Sequence, residues 1–245
     1  ENWAVQLSGK TALVTGGTDG IGAQLIRQLR DKGVTVITSG RNPERCAATR
    51  SDGFEVIEAD LGTPAGVEAL IAAVAGRSID ILVNNAGTSA DHDFRNADLP
   101  DLPTADAGIF LNLNAPIHLI TALMPMLRSR PEAMIVNVTS GLAIAPRAGG
   151  PVYCGTKAAL RSYTQALRQQ LKGTSVHVLE ALPPVVETKM TAGRDNKKMP
   201  AAECARQFVT AMERNADEAN VGLVKLLQLV HSISPKLARS IMIRF

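Results

Sequence analysis

Apolar positions along the chain fall into two alternating kinds of segment. Ala12-Leu13-Val14 is a short run without polar alternation that stops at Gly16-Gly17, the form of a strand buried on both faces. Ile21, Leu25 and Leu29 then recur every four residues up to Gly33, which is the apolar stripe of a helix with a glycine stop. Val34–Thr38 and Glu55–Ala59 read as further strands. Thr63-Pro64 opens a helix with a capping residue and a first-turn proline, and Val67, Leu70, Ile71 and Val74 supply its inner face. Asp80–Val83, Ala133–Val138 and Ser175–Leu182 are predicted strands; 113–128 and Tyr153–Leu171 are predicted helices. Strands alternating with helices, most of them apolar on both faces, imply a doubly wound, mostly parallel sheet covered on both sides. No internal repeat or linker divides the chain, so residues 1–245 are expected to form a single α/β domain.

Two stretches interrupt this alternation. Asp91–Asp106 is polar, contains Pro100 and Pro103, and reads as a surface excursion. Thr188–Lys198 is polar and charged and comes after the sixth strand, where a segment reaches the carboxyl ends of a parallel sheet and covers a ligand there. Leu226–Val230 is apolar, with three readings open: core, subunit contact or substrate wall.

Composition narrows the functional classes. Of 245 residues, 26 are basic and 23 acidic, so the net charge of +3 is a small imbalance, and with 3% aromatics neither a nucleic-acid surface nor a membrane surface is expected. Three cysteines without a CxxC pair and four dispersed histidines argue against a disulfide framework and a metal site. No run of about 20 uninterrupted apolar residues occurs. No signal peptide is visible, the start at Glu1 without methionine is what a trimmed chain would show, and the expected compartment is the cytoplasm. Cys154 has no neighbouring histidine and reads as a packed thiol.

The chemistry lies at the strand ends. Between the first strand and the first helix stands Thr15-Gly16-Gly17-Thr18-Asp19-Gly20-Ile21-Gly22, where glycines let the backbone approach a pyrophosphate seated on a helix amino terminus. Its spacing is GxxxGxG rather than GxGxxG. The run TGGTDGIG resembles the TGxxxGIG signature of the short-chain dehydrogenase/reductase family, and Asn84-Asn85-Ala86-Gly87 is similar to the family's NNAG. The resemblance extends over about residues 8–190. It implies a single-domain Rossmann fold, a nicotinamide cofactor, a small-molecule carbonyl or alcohol substrate, and assembly as a homodimer or homotetramer.

Carried over residue by residue, the resemblance implies cofactor contacts at Gly16, Thr18, Asp19, Gly20, Ile21, Gly22, Asp60, Leu61, Asn85, Ala86, Gly87, Pro183, Val186 and Thr188. The last three lie in Pro183-Pro184-Val185-Val186-Glu187-Thr188, where Pro184 replaces a family glycine and removes a backbone donor. Cofactor choice turns on the end of the second strand. The family's acidic position is Gly40 here, without charge, and Arg41 comes next with a guanidinium suited to a 2′-phosphate, so NADP(H) is expected over NAD(H). Asp19 points mildly the other way, standing where NADP-preferring relatives often carry a basic residue.

Tyr153 and Lys157 are four residues apart, which on a helix puts them on one face. Ser140 lies 13 residues before the tyrosine and Asn112 28 before the serine, the family's distances, with Asn114 as the shifted assignment for the latter. Reduction of a carbonyl builds charge on oxygen that must be protonated, and a phenol serves only where a nearby cation stabilises its phenolate. The resemblance gives Tyr153 and Lys157 that task together with cofactor contacts, Ser140 the substrate oxygen, and Asn112 a water linking Lys157 to solvent. Two other readings are a nucleotide-binding regulator without turnover, which typically lacks the tyrosine or lysine, and an epimerase or lyase of the same fold. The latter usually has a larger carboxyl-terminal region than the one after Thr188.

Overall fold

The run Thr11–Thr15 forms the central strand β1, and its alternation sends Ala12 and Val14 into one apolar layer and Leu13 into the other. A computed structural model of the chain describes residues 5–89, 93–95, 101–186 and 198–244. Around β1 stand β2 (Thr35–Gly40), β3 (Glu55–Glu58), β4 (Ile81–Asn84), β5 (Ala133–Val138), β6 (Val176–Leu182) and β7 (Glu218–Asn220). The order is β3-β2-β1-β4-β5-β6-β7, and every pairing is parallel. The doubly wound single sheet expected from the apolar pattern is therefore present.

Helices cover both faces. Leu25, Ile26 and Leu29 of α1 (Gly20–Asp31), Cys46 of α2 (Pro43–Ser51) and Phe208 and Met212 of α7 (Ala201–Glu213) pack against one face. Val67 and Leu70 of α3 (Pro64–Ala73), Leu119, Ile120 and Leu123 of α5 (Ala115–Ser129) and Leu167 of α6 (Pro151–Gln170) pack against the other. Thr63 caps α3 as its sequence implies, its hydroxyl accepting from the Gly66 amide at 3.1 Å. Each buried leucine or isoleucine contributes on the order of 2 kcal/mol, which is what holds the layers in register.

The structure corrects three readings. The polar excursion ends earlier than Asp106, because Leu102–Ile109 is a helix, α4; part of the excursion lies outside the described residues. The helix expected over 113–128 begins with a π-turn, Phe110–Asn114, so that Leu102–Ser129 runs as one helical path. That path is long and apolar enough to cross a membrane by composition, but its buried leucines are part of the core and it carries Asn112 inward. Leu226 and Leu229, in α8 (Val224–Ile233), are exposed, which removes the core reading for them. A final helix, α9, spans Pro235–Met242.

The strand order reverses between β1 and β4, and in such sheets the crevice for ligands opens at the carboxyl ends of the two strands flanking the reversal. Gly16 comes directly after β1 there and Asn85 directly after β4.

Candidate active site

The loop after β1 is locked to the one after β4. The Thr15 hydroxyl accepts from the amides of Asn85 (3.1 Å) and Ala86 (3.0 Å), and the Asn85 side-chain amide donates to the carbonyls of Thr15 (3.0 Å) and Gly16 (3.2 Å). Gly16 has φ +69°, and a methyl on Gly22 would sit 2.2 Å from the Gly16 carbonyl oxygen. Only glycine permits this closeness. Asp19 caps α1, accepting from the Gly20 amide at 2.8 Å, while the remaining first-turn amides give the helix end its affinity for anions.

At the end of β2, a side chain on Gly40 would meet the Thr18 side chain at 2.6 Å and the Cys46 sulfur at 3.1 Å. An acidic residue would thus be crowded out as well as absent. Arg41 is largely exposed and only loosely paired with Asp60 at 3.8 Å, a contact too solvated to hold it. Asp60 also accepts from the Gly62 amide at 3.0 Å, and the Leu61 side chain goes into the core, so Leu61 offers a ligand only its backbone. A residue without a sequence signal joins this corner: Arg45, in the first turn of α2, donates to Asp19 at 2.7 Å. Its guanidinium offsets the negative charge of Asp19 at this corner.

The second cluster gathers at the ends of β4 and β5. Asn112, almost fully buried in the π-turn, accepts from the Thr88 amide (2.9 Å) and donates to the Thr88 carbonyl (2.9 Å) and the Thr156 hydroxyl (3.1 Å). Asn114 is less buried and makes none of these bonds. Lys157 is 4% exposed, and its ammonium donates to the Val138 carbonyl at 2.9 Å. Burial lowers its pKa from 10.5 to about 8. The ammonium lies 5.8 Å from the centre of the half-buried Tyr153 ring. A methyl on Gly87 would come within 3.3 Å of Asn112 Oδ1 and 3.4 Å of Lys157 Nζ, so Gly87, Asn112 and Lys157 face one small space. Ser140 stands just past β5, and its oxygen accepts from the Leu142 amide at 3.1 Å, which leaves its own O–H to donate elsewhere.

Asn112 and Lys157 thus face one space beside Gly87, the Tyr153 ring lies next to Lys157, and Ser140 stands at the end of β5. Pro183 accepts from the Gly141 amide at 3.1 Å, and Val186 pairs with Met199 across a parallel bridge. Thr188 lies outside the described residues. Cys154 is a buried thiol whose pKa burial raises, the packed role its sequence context suggested.

A family model described as short chain dehydrogenase matches residues 10–199. The chain belongs to the short-chain dehydrogenase family. It is 39% identical over 198 residues to the uncharacterized oxidoreductase DltE of Bacillus subtilis, covering 79% of this chain and 78% of that protein. It is 35% identical over 180 residues to the NADP-dependent 3-hydroxy acid dehydrogenase YdfG of Salmonella typhi, covering 71% of each. The crystal structure of a short-chain dehydrogenase from Burkholderia cenocepacia in complex with NADP superposes with a TM-score of 0.86 at 25% identity, over 97% of this chain and 99% of that one. This short-chain dehydrogenase is an oxidoreductase with a nicotinamide-binding Rossmann fold.

Two buried networks behind the site carry no motif of their own. Asn84 donates to Asn137 (2.9 Å), which donates to Thr164 (2.9 Å), tying β4, β5 and α6 together. Glu180, fully buried on β6, accepts from Thr139 (2.6 Å) and Arg161 (2.6 Å), and Arg161 also reaches Glu218 at 3.2 Å. Thr139 lies between Val138, which holds Lys157, and Ser140. A buried ion pair therefore anchors the end of β5 in this dehydrogenase. Sequence reading missed Glu180 because an acidic residue in an apolar strand acquires meaning only from its partners.

Proposed function

We propose that this short-chain dehydrogenase transfers a hydride between NADP(H) and a carbonyl or secondary alcohol, with Tyr153 as the general acid/base. The observation that carries the reading is the buried Lys157 ammonium, held by Val138 beside the Tyr153 ring and facing Asn112 and Gly87. A bound nicotinamide supplies the hydride. The glycine cradle and the amino terminus of α1 fit a pyrophosphate, and the end of β2, where Gly40 brings no carboxylate and Arg41 is exposed and only loosely paired, fits a 2′-phosphate. Arg45 adds to this fit by neutralising Asp19. The NADP held by the Burkholderia protein and the NADP dependence in the Salmonella protein's name support the same choice.

During reduction the Tyr153 hydroxyl gives its proton to the substrate oxygen, and the Lys157 cation stabilises the phenolate left behind. Ser140 donates its free O–H to that oxygen and fixes it in place. Asn112 keeps the Thr88 backbone and the Thr156 hydroxyl in position around Lys157. In oxidation the same protons travel in reverse. The substrate is a small carbonyl or alcohol compound. Tyr153→Phe tests the assignment: with a panel of ketones and aldehydes, oxidation of NADPH should fall at least about 100-fold while cofactor affinity stays within about threefold. Retained turnover would refute it.

A further inference from the structure

The last two helices carry a surface that the whole-chain charge conceals. Of ten large hydrophobic side chains exposed among the described residues, seven lie between Leu223 and Ile243. On α8 they form one stripe, Leu226, Leu229 and Ile233, at three- and four-residue spacing, with exposures of 58%, 57% and 78%. Leu237 and Ile241, four residues apart, are exposed on α9, which follows α8 after a single residue and contacts it. From Ala219 to Arg244 the chain contains Lys225, Lys236, Arg239 and Arg244 and no acidic residue. All four cations are exposed, and among the described residues none has an ion-pair partner.

We infer that α8 and α9 form a peripheral docking surface for an anionic lipid bilayer. Two short consecutive helices that expose leucines and isoleucines and carry these four unpaired cations match an interfacial anchor, the one carboxylate bonded to α8, Glu218, being already paired with Arg161. The leucines and isoleucines enter the acyl boundary while Lys236 and Arg239 meet the headgroups. A second copy of the chain is a poorer occupant, because stacking this face on itself brings Lys225, Lys236, Arg239 and Arg244 together, and the one carboxylate bonded to α8, Glu218, is already paired with Arg161. The buried side of α8 also fits a wall of the site, with Val224 3.0 Å and Leu227 3.8 Å from where a side chain on Gly141 would stand. Docking through the outer stripe leaves that packing untouched.

The test is co-sedimentation of the full-length protein with vesicles of phosphatidylcholine alone or mixed equally with phosphatidylglycerol, at low and high salt. Binding is expected on the mixed vesicles, at least about tenfold weaker on phosphatidylcholine, and reduced by salt. Lys236→Ala with Arg239→Ala should weaken it about 30-fold, at about fivefold for each cation removed. Leu229→Ser with Ile233→Ser should weaken it on the order of tenfold or more. All four positions are exposed, so thermal unfolding should show both variants folded. Protein left in the supernatant with every vesicle overturns the proposal, as does binding unaffected by either pair of substitutions. Sedimentation velocity giving a dimer that the serine substitutions dissociate, without vesicle binding, overturns it in favour of a second copy.

Discussion

Replacing Lys157 by methionine should make the protein lacking cofactor more stable, although it removes a group central to the proposed reaction. The ammonium is lowered from 10.5 to about 8 by desolvation alone. At about 1.4 kcal/mol per pH unit of displacement, the charged form is disfavoured in the folded chain by about 3 kcal/mol. Methionine fills similar space without charge but leaves the Val138 carbonyl unpaired, at a cost of about 1–2 kcal/mol. The balance near neutral pH is a gain of about 1–2 kcal/mol, or a rise in melting temperature of roughly 2–8 °C for a chain of this size. The folded value lies below the unfolded one, so between about 8 and 10.5 the unfolded chain holds more protons. The native protein therefore gains stability as pH rises through that window, and the penalty is complete below it. Urea unfolding of both proteins at pH 7 and pH 10 measures this: the advantage of methionine should be present at pH 7 and gone at pH 10. A variant no more stable than the native protein at pH 7, or a difference independent of pH, would refute the reasoning.

Other consequences concern residues on either side of this lysine. Arg41→Ala should weaken NADPH binding by about 1.5–3 kcal/mol, as loss of a charge-assisted contact does, and leave NADH nearly unchanged; equal losses in fluorescence titrations would count against a 2′-phosphate site. Glu180→Ala strips Arg161 of its closest partner and should destabilise by on the order of 3 kcal/mol in urea unfolding, with a smaller loss when Arg161 is removed as well. Additive losses would mean the two do not act as a pair. Gly22→Ala places a methyl 2.2 Å from the Gly16 carbonyl and should lower cofactor affinity more than tenfold, as calorimetry would show; an unchanged affinity would mean the loop adjusts freely.

How far the chain could be read before folding depended on whether a signal was local. β1, β5 and β6 are mostly apolar runs, and the stripe of α1 has a regular period, so both kinds of element were legible. β7 was not, because Glu218-Ala219-Asn220 is a three-residue polar edge that is a strand only through its pairing with β6. α2 exposes most of its surface and buries only Cys46 and Thr49, too little for a stripe. The same holds in the site. Tyr153 and Lys157 are one helical turn apart and were singled out with Ser140, Asn112 and the glycine loop as context, whereas Arg45 and Asp19 are separated by 26 residues and Glu180 and Thr139 by 41. Asp19 alone argued against NADP; with Arg45 against it, that objection loses its charge.

The π-turn that carries Asn112 acts as a phase shifter between two helices. Five residues rather than four per hydrogen-bonded turn add one residue to the path, so the sides that α4 and α5 turn inward need not follow a single heptad-like count. Ala105 and Gly108 are buried on α4, and Leu119, Ile120, Leu123 and Leu127 on α5; Asn112 is the residue the offset rotates into the gap beside Thr88. Deleting one residue there would restore an ordinary helix and turn α4 by about 100° relative to α5. The sheet-facing leucines and the asparagine could then no longer both be inside. As a genetic constraint, the segment 110–114 should tolerate substitution of its outward residues far better than any change in its length.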